Sequence, residues 1–249
     1  MEVKRRKFQG VLNILSFNRH FYVLGLIVLA LIIGSRFVFD WNQNLFWLVI
    51  FGFLYGLTMP LIISAYVYDF SGFYNFEWLN RIDLNDTTEN LNLNINAGFD
   101  ETSYIIKSIL PNSELQVYDF YNAKQHTEPA IIRARKVSLV YPNTQQINSS
   151  TIPLKDNSVD NIFLVSAIHE IRKQEEKVLF LKECRRVCKS NGNVIMVEHL
   201  RDLPNFFAFT IGFTHFFSKA SWEMAFKDAG FETINESKFT PFMSIFNCK

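Results

Sequence analysis

Cysteine is scarce in this 249-residue chain, which holds only Cys184, Cys188 and Cys248. Three thiols make no disulfide framework and suit a reducing compartment. Cys184 and Cys188 share a face of an expected helix, but no further ligands at comparable spacing accompany them, so no metal site is expected. Net charge is scarce as well: 25 basic against 24 acidic residues leave +1, which speaks against a dedicated nucleic-acid binder, usually a basic domain. From Leu45 to Tyr68 charge is missing altogether. A small-residue cleavage pattern is also missing after the first apolar run, which argues against a removed signal peptide.

What is abundant is apolar and aromatic: 49% hydrophobic residues, 16% aromatics and 26 Phe. The excess lies before Tyr68. Residues 1–68 are expected to form a membrane anchor of two transmembrane helices, about 21–39 and 45–68, long enough together to cross a hydrocarbon core twice. Pro60 does not veto the second span, because a freed carbonyl can be re-satisfied locally in a membrane helix. Arg36, near the end of the first, can snorkel to the headgroups. Lys4, Arg5, Arg6, Lys7 and Arg19 precede the first span, and the connection holds only Arg36 and Asp40. Positive-inside bias therefore places the N-terminus, and after two spans the rest of the chain, in the cytoplasm. A buried helical pair in a soluble protein is the alternative. Residues 69–90 read as an aromatic linker, with Tyr68, Phe70, Phe73, Tyr74, Phe76 and Trp78 either at the membrane interface or packed beneath the following domain.

From residue 91 the pattern alternates. Strands are expected at Leu91–Ile95, Leu115–Tyr118, Gln145–Asn148, Asn161–Val165 and Asn193–Val197. Helices are expected from Asp100 to Leu110, from Gln174 to Val187 (Val178, Leu179, Leu181 and Val187 inward) and from Ser221 to Ala229. Ser190-Asn191-Gly192 reads as a helix stop and turn. Two last strands, near 231–238 and 242–246, close a hairpin. The fold class is α/β: a Rossmann-like doubly wound sheet with a C-terminal antiparallel hairpin, preceded by two transmembrane α-helices.

Three segments then carry a resemblance. Ile152-Pro-Leu-Lys-Asp-Asn-Ser-Val-Asp160 resembles the entry to the fourth strand of class I S-adenosylmethionine-dependent methyltransferases. Phe180-Leu-Lys-Glu-Cys-Arg-Arg-Val-Cys-Lys-Ser-Asn-Gly192 is similar to the helix and turn that follow, and Trp222 to Phe231 to the penultimate helix. The match is to the methyltransferase-11-like branch over residues 91–246. It implies S-adenosylmethionine as cofactor at the carboxyl ends of the first strands, bound by Asn94, Asn96, Gly98, Asp119 and Asn148. Asp119 falls where a carboxylate takes both ribose hydroxyls. The first turn departs from the family pattern, with Asn94 in place of an acid and Gly98 alone of the glycines; Asn148 likewise replaces an acid.

Two clusters follow strand ends, where a proton-handling group would sit: Ser166-Ala-Ile-His169-Glu170 and Glu198-His199-Leu-Arg201-Asp202. His169, Glu198 and His199 are the catalytic candidates. His126 and His215 stand in less regular segments. The Phe-rich stretch 204–217 is either an apolar lid beside the membrane or core. The expected function is a membrane-anchored methyltransferase acting on a hydrophobic, lipid-like small molecule, with the bilayer as its other partner and no nucleic acid. The alternative is a catalytically degenerate binding or scaffold module. A nicotinamide-dependent reductase fits less well, because the first turn lacks the glycines that cradle a pyrophosphate.

Overall fold

The computed structural model describes residues 5–84, 86–125 and 128–249; Lys4 and His126 lie outside the described residues. The chain begins with a short helix α1 (Gln9–Phe17), which bends by 72° into α2 (Arg19–Ser35). Helix α3 (Gln43–Ala65) returns alongside α2. Asn42 caps it, accepting from the N–H groups of Asn44 and Leu45 through its side-chain oxygen, and Pro60 sits inside it. Gly25 makes the hairpin close: a Cβ there would meet the Leu57 side chain. The residues on its outer faces are apolar and uncovered, with Leu24 59%, Leu31 68%, Leu48 69% and Phe51 63% exposed. Among the described residues, α3 alone is by itself long and apolar enough to cross a membrane, or both are if the bent α1–α2 pair counts as one span.

The chain from Tyr66 to Phe70 widens into a π-turn, and two 3₁₀ turns lead on to Arg81. Val67, Phe73, Phe76, Trp78 and Leu79 are buried there against Phe163, Val165, Ile195, Val197, Met243 and Ile245 of the sheet. Of the two readings of the aromatic linker, these contacts fit packing beneath the domain. Its rings contribute to the second core of the domain, and of them only Tyr66 and Phe70 stay exposed.

The domain is a seven-stranded sheet of order β3-β2-β1-β4-β5-β7-β6, with β1 (Leu91–Asn96), β2 (Glu114–Asp119), β3 (Gln145–Gln146), β4 (Val159–Val165), β5 (Cys188–His199), β6 (Ile234–Thr240) and β7 (Met243–Cys248). β1 to β5 pair in parallel, and β7 is antiparallel to both β5 and β6. The strand order reverses between β1 and β4, the place where ligands bind in open α/β sheets. Both faces are covered. Leu93, Ile95, Ile162, Leu164, Val194 and Met196 join one core with α6 (Gln174–Val187) and α8 (Lys219–Asp228), and the alternate residues of β4 and β5, Phe163, Val165, Ile195 and Val197, join the other. Helices α4 (Ser103–Ile109), α5 (Pro129–Arg135) and α7 (Leu203–Phe209) complete the chain.

Three local expectations change. Gly192 ends no helix: β5 runs without a break from Cys188, and a Cβ on Gly192 would strike the Asp160 carbonyl, so glycine serves a close strand approach. Leu179 faces outward, while Lys177 and Phe180 are buried on that helix. Ser218, not Ser221, caps α8, accepting from the Ser221 N–H.

Candidate active site

The carboxyl ends of β1 and β2 place the first group of residues. Gly98 adopts φ +82°, a conformation that favours glycine, and donates its N–H to Asn96 Oδ1 at 2.7 Å. Asn96 Nδ2 is buried without a hydrogen-bond partner among the described residues. Asp119 accepts from the Tyr121 N–H through Oδ1 and from Arg135 Nη1 through Oδ2, each at 2.8 Å. The Arg135 guanidinium lies over the Tyr121 ring, 4.0 Å from its centroid, and fills the space a Cβ on Gly98 would take. Asn96, Gly98, Asp119 and Arg135 therefore share one cradle.

Asn94 and Asn148 do not reach it. Asn94 is buried, its Nδ2 donating to Thr102 Oγ1 and Ser103 Oγ, so it fastens the start of α4. Asn148 Oδ1 accepts from the N–H and hydroxyl of Ser150, closing its own turn. Both side chains thus make local hydrogen bonds, Asn94 to the start of α4 and Asn148 within its own turn.

Helix α1 covers the same edge. Phe17 packs edge-on to Phe99 with centroids 5.3 Å apart, and Arg133 donates to the Phe17 carbonyl. Gln9 Nε2 and Asn13 Nδ2 donate to Glu101, at 2.9 and 3.2 Å. The N–H groups of Gly10 and Val11 donate to the Asp69 carboxylate at 2.7 and 2.9 Å.

The ends of β4 and β5 carry the second group. Glu198 is 2% exposed and faces His169 Nδ1 with both oxygens, at 3.1 and 2.9 Å. It also takes the His169 backbone N–H at 3.3 Å. The opposite ring nitrogen of His169, Nε2, lies 3.6 Å from Glu170 Oε1. Burial disfavours the charged imidazole, but Glu198 and then Glu170 outweigh it and push His169 up to about 9. Burial likewise holds the Glu170 carboxyl above its usual range. His215 brings a second imidazole, 5.3 Å from His169 between centroids, with Nδ1 3.4 Å from Glu128. Burial, with His169 and Arg172 nearby, pushes it down to about 3. Arg172 Nη1 donates to the carbonyls of both His169 and His215, at 3.2 and 2.8 Å, and so ties the two segments together.

His199 is a different case. Its Nδ1 faces the Phe242 carbonyl and its Nε2 the Tyr68 hydroxyl, each at 2.8 Å, and Phe216 stacks on the ring at 4.9 Å. Desolvation pushes it down to about 4. A neutral ring with Nδ1–H donating and Nε2 accepting satisfies both neighbours and leaves nothing for a substrate. Through Tyr68 it joins the aromatic linker to the end of β5.

Sequence spacing missed Arg135, Tyr68, Glu128 and the part played by His215. These residues come from segments far apart in the chain, and only the fold brings them to the sheet edge.

Residues 114–196 match a family described as a methyltransferase domain. Among solved structures, a SAM-dependent methyltransferase from Aquifex aeolicus is 18% identical, with a TM-score of 0.50, over 76% of this chain and 97% of its own. Human N-acetylserotonin methyltransferase in complex with SAM is 14% identical, with a TM-score of 0.52, over 78% of this chain and 55% of its own. A putative O-methyltransferase from Nostoc punctiforme is 16% identical, with a TM-score of 0.50, over 78% and 60%. This chain thus spans less than two thirds of the last two. No curated protein matches it. The fold is that of SAM-dependent methyltransferases, and the family match begins at β2, after the first turn whose glycines are missing.

Proposed function

We propose that this chain is a membrane-anchored S-adenosylmethionine-dependent methyltransferase acting on a hydrophobic, lipid-like small molecule. The observation that carries the reading is the cradle at the ends of β1 and β2. The Asp119 carboxylate, the unpartnered Asn96 amide and the open backbone of Gly98 converge there, beside the point where strand order reverses. These groups suit an adenosine ribose once Arg135 withdraws: a carboxylate for two hydroxyls, an amide donor, and no side chain over the turn. The cofactor supplies an activated methyl group when bound. Asp119 and Asn96 would hold it, and the proton-handling cluster of His169, Glu170 and Glu198 stands at the ends of the neighbouring strands, on the acceptor side. Positioning supplies much of the acceleration in such a displacement.

The apolar acceptor is inferred from α7 and the turn after it. Leu203, Phe206, Phe207 and Ile211 are exposed on this stretch, Ile211 by 85%. The element lies along α3, with the Tyr55 hydroxyl donating to the Phe207 carbonyl at 2.6 Å. If α2 and α3 cross the bilayer, with the basic N-terminal residues cytoplasmic, this stretch reaches into the acyl layer and the domain faces the cytoplasm.

The Asp119–Arg135 ion pair supports a second reading, a binding or scaffold module whose cofactor cradle is shut for good. Calorimetric titration of the detergent-solubilised full chain with S-adenosylmethionine separates them. Binding that Asp119→Ala weakens tenfold or more, and that Arg135→Ala tightens severalfold, supports the enzyme. No heat at millimolar cofactor from either the native chain or Arg135→Ala leaves the scaffold.

A further inference from the structure

Two imidazoles and three carboxylates crowd one small volume at the ends of β4 and β5, although they come from four separate stretches of chain. His169 and Glu170 follow β4, Glu198 ends β5, His215 lies in the turn after α7, and Glu128 precedes α5. One ligand atom each from His169, Glu170 and His215 lies within 4.8 Å of the others. Two donors bound to one tetrahedral zinc at about 2.0–2.1 Å stand a little over 3 Å apart, so the 3.6 Å between His169 Nε2 and Glu170 Oε1 is a separation that small movements close.

The surroundings are those of a metal centre. A metal-bound histidine usually gives its other ring nitrogen to a carboxylate, which fixes the ring and raises its basicity. Glu198 does this to His169, with both oxygens on Nδ1 and 3% of its side chain exposed. Glu128 stands 3.4 Å from one nitrogen of His215. Arg172 does not compete for the ligand atoms. Its guanidinium is engaged by the backbone carbonyls of His169 and His215, so it fixes the distance between the two rings from behind. Lys177, the other nearby cation, lies over the Phe217 ring.

We propose that His169, Glu170 and His215 bind one divalent transition-metal ion of the zinc type, with Glu198 orienting His169. This departs from the expectation of no metal site, which rested on sequence spacing; His169 and His215 are too far apart in the chain to form a local motif. Two histidines and a carboxylate leave a tetrahedral ion one position for water or an acceptor atom. If the methyltransferase reading holds, the ion occupies the acceptor side of the site, and His169 Nε2 is a ligand rather than a free base. The metal site itself does not depend on that reading.

The test uses the full chain in detergent, stripped with a chelator, dialysed and titrated with Zn²⁺ without cofactor or acceptor. The expected result is one ion per chain by elemental analysis. His169→Ala and His215→Ala should each weaken binding at least a hundredfold. Glu198→Gln should weaken it about 10–100-fold with stoichiometry kept, while His20→Ala changes nothing. Co²⁺ should give visible absorption bands that His215→Asn abolishes in a chain whose far-ultraviolet dichroism is unchanged. Zinc retention unaffected by both histidine variants, or none in the native chain, overturns the proposal. Methylation is not read in any arm, so a failed cofactor titration and a failed zinc titration remain separate results.

Discussion

Single side chains in this protein are often spent on tasks other than the one their position in the sequence suggests. His199 follows a strand end like His169, yet one is a satisfied neutral ring and the other is held charged by Glu198. Lys177 is the most unusual case: fully buried, without a hydrogen-bond partner, its ammonium 3.3 Å from the Phe217 centroid and 4.6 Å from that of Trp222. Ring faces attract a cation but return less than water gives, and burial pushes its pKa down to about 8. A base with a lowered folded-state pKa costs stability wherever it is charged in both states. The cost is full below pH 8 and disappears as the pH passes the ordinary lysine value of 10.5. Lys177→Met should therefore stabilise the chain by about 2–3 kcal/mol at pH 7, and the gain should shrink steadily between pH 8 and 10.5. Urea unfolding across that range measures it; a gain that grows with pH would contradict the assignment.

At the level of elements, the sheet is tied by an unusual polar ladder. Asn193 Nδ2 donates to Asn161 Oδ1 at 2.9 Å, Asn161 Nδ2 to Asn92 Oδ1 at 2.8 Å, and Asn92 Nδ2 to Ser113 Oγ at 2.6 Å. It crosses β5, β4 and β1 at the end opposite the site. Asn161→Leu removes the middle rung and strands two buried amide groups, so about 2–4 kcal/mol should be lost in urea unfolding. Much of the sheet was legible beforehand, because both-face burial gives apolar runs such as Asn161–Val165 and because Gln174–Val187 has clear helical period. The asparagines were not, since alternating Leu and Asn in β1 looks the same whether the amides meet solvent or one another. Gly192 misled for a similar reason: a glycine after a helical pattern signals a cap, and only the neighbouring strand shows that it marks a close approach. Asp119 ends β2, the position the resemblance implies, but its partner Arg135 sits on α5, a helix whose seven residues are too short to show a period.

Helix α7 yields a prediction at the same scale. Phe207→Cys carrying a nitroxide, in reconstituted vesicles, should be accessible to oxygen and shielded from a water-soluble nickel chelate. The reverse would place this stretch at an aqueous surface.

For the whole molecule, the question is what the apolar hairpin does. With two crossings, Lys7→Cys and Glu232→Cys should react with a membrane-impermeant maleimide from the same side of sealed vesicles, and Asp40→Cys from the other. Labelling of all three from one side would make the hairpin a re-entrant or surface element. The domain does not hang loosely from this hairpin. Its N-terminal helix packs on α5 through the Phe17 carbonyl and Arg133, and its aromatic exit supplies Val67, Phe73, Phe76, Trp78 and Leu79 to the second core. Sequence reading separated anchor, linker and domain as beads on a string, because apolar content changes abruptly along the chain. Packing erases those borders: Phe17 belongs to the same core as Phe180, and Trp78 to the same core as Ile195.

The π-turn at Tyr66–Phe70 limits how the apolar hairpin can vary. Helix α3 is gripped at Tyr55 by the Phe207 carbonyl and, through the π-turn, at Tyr68 by His199. The two grips are about 20 Å apart along the axis at about 1.5 Å per residue. One inserted residue between them would swing the lower grip about 100° around the axis. The segment thus works as a ruler with a fixed phase. A foreign membrane helix could replace it only if the graft kept both its length and its rotation, whatever its hydrophobicity.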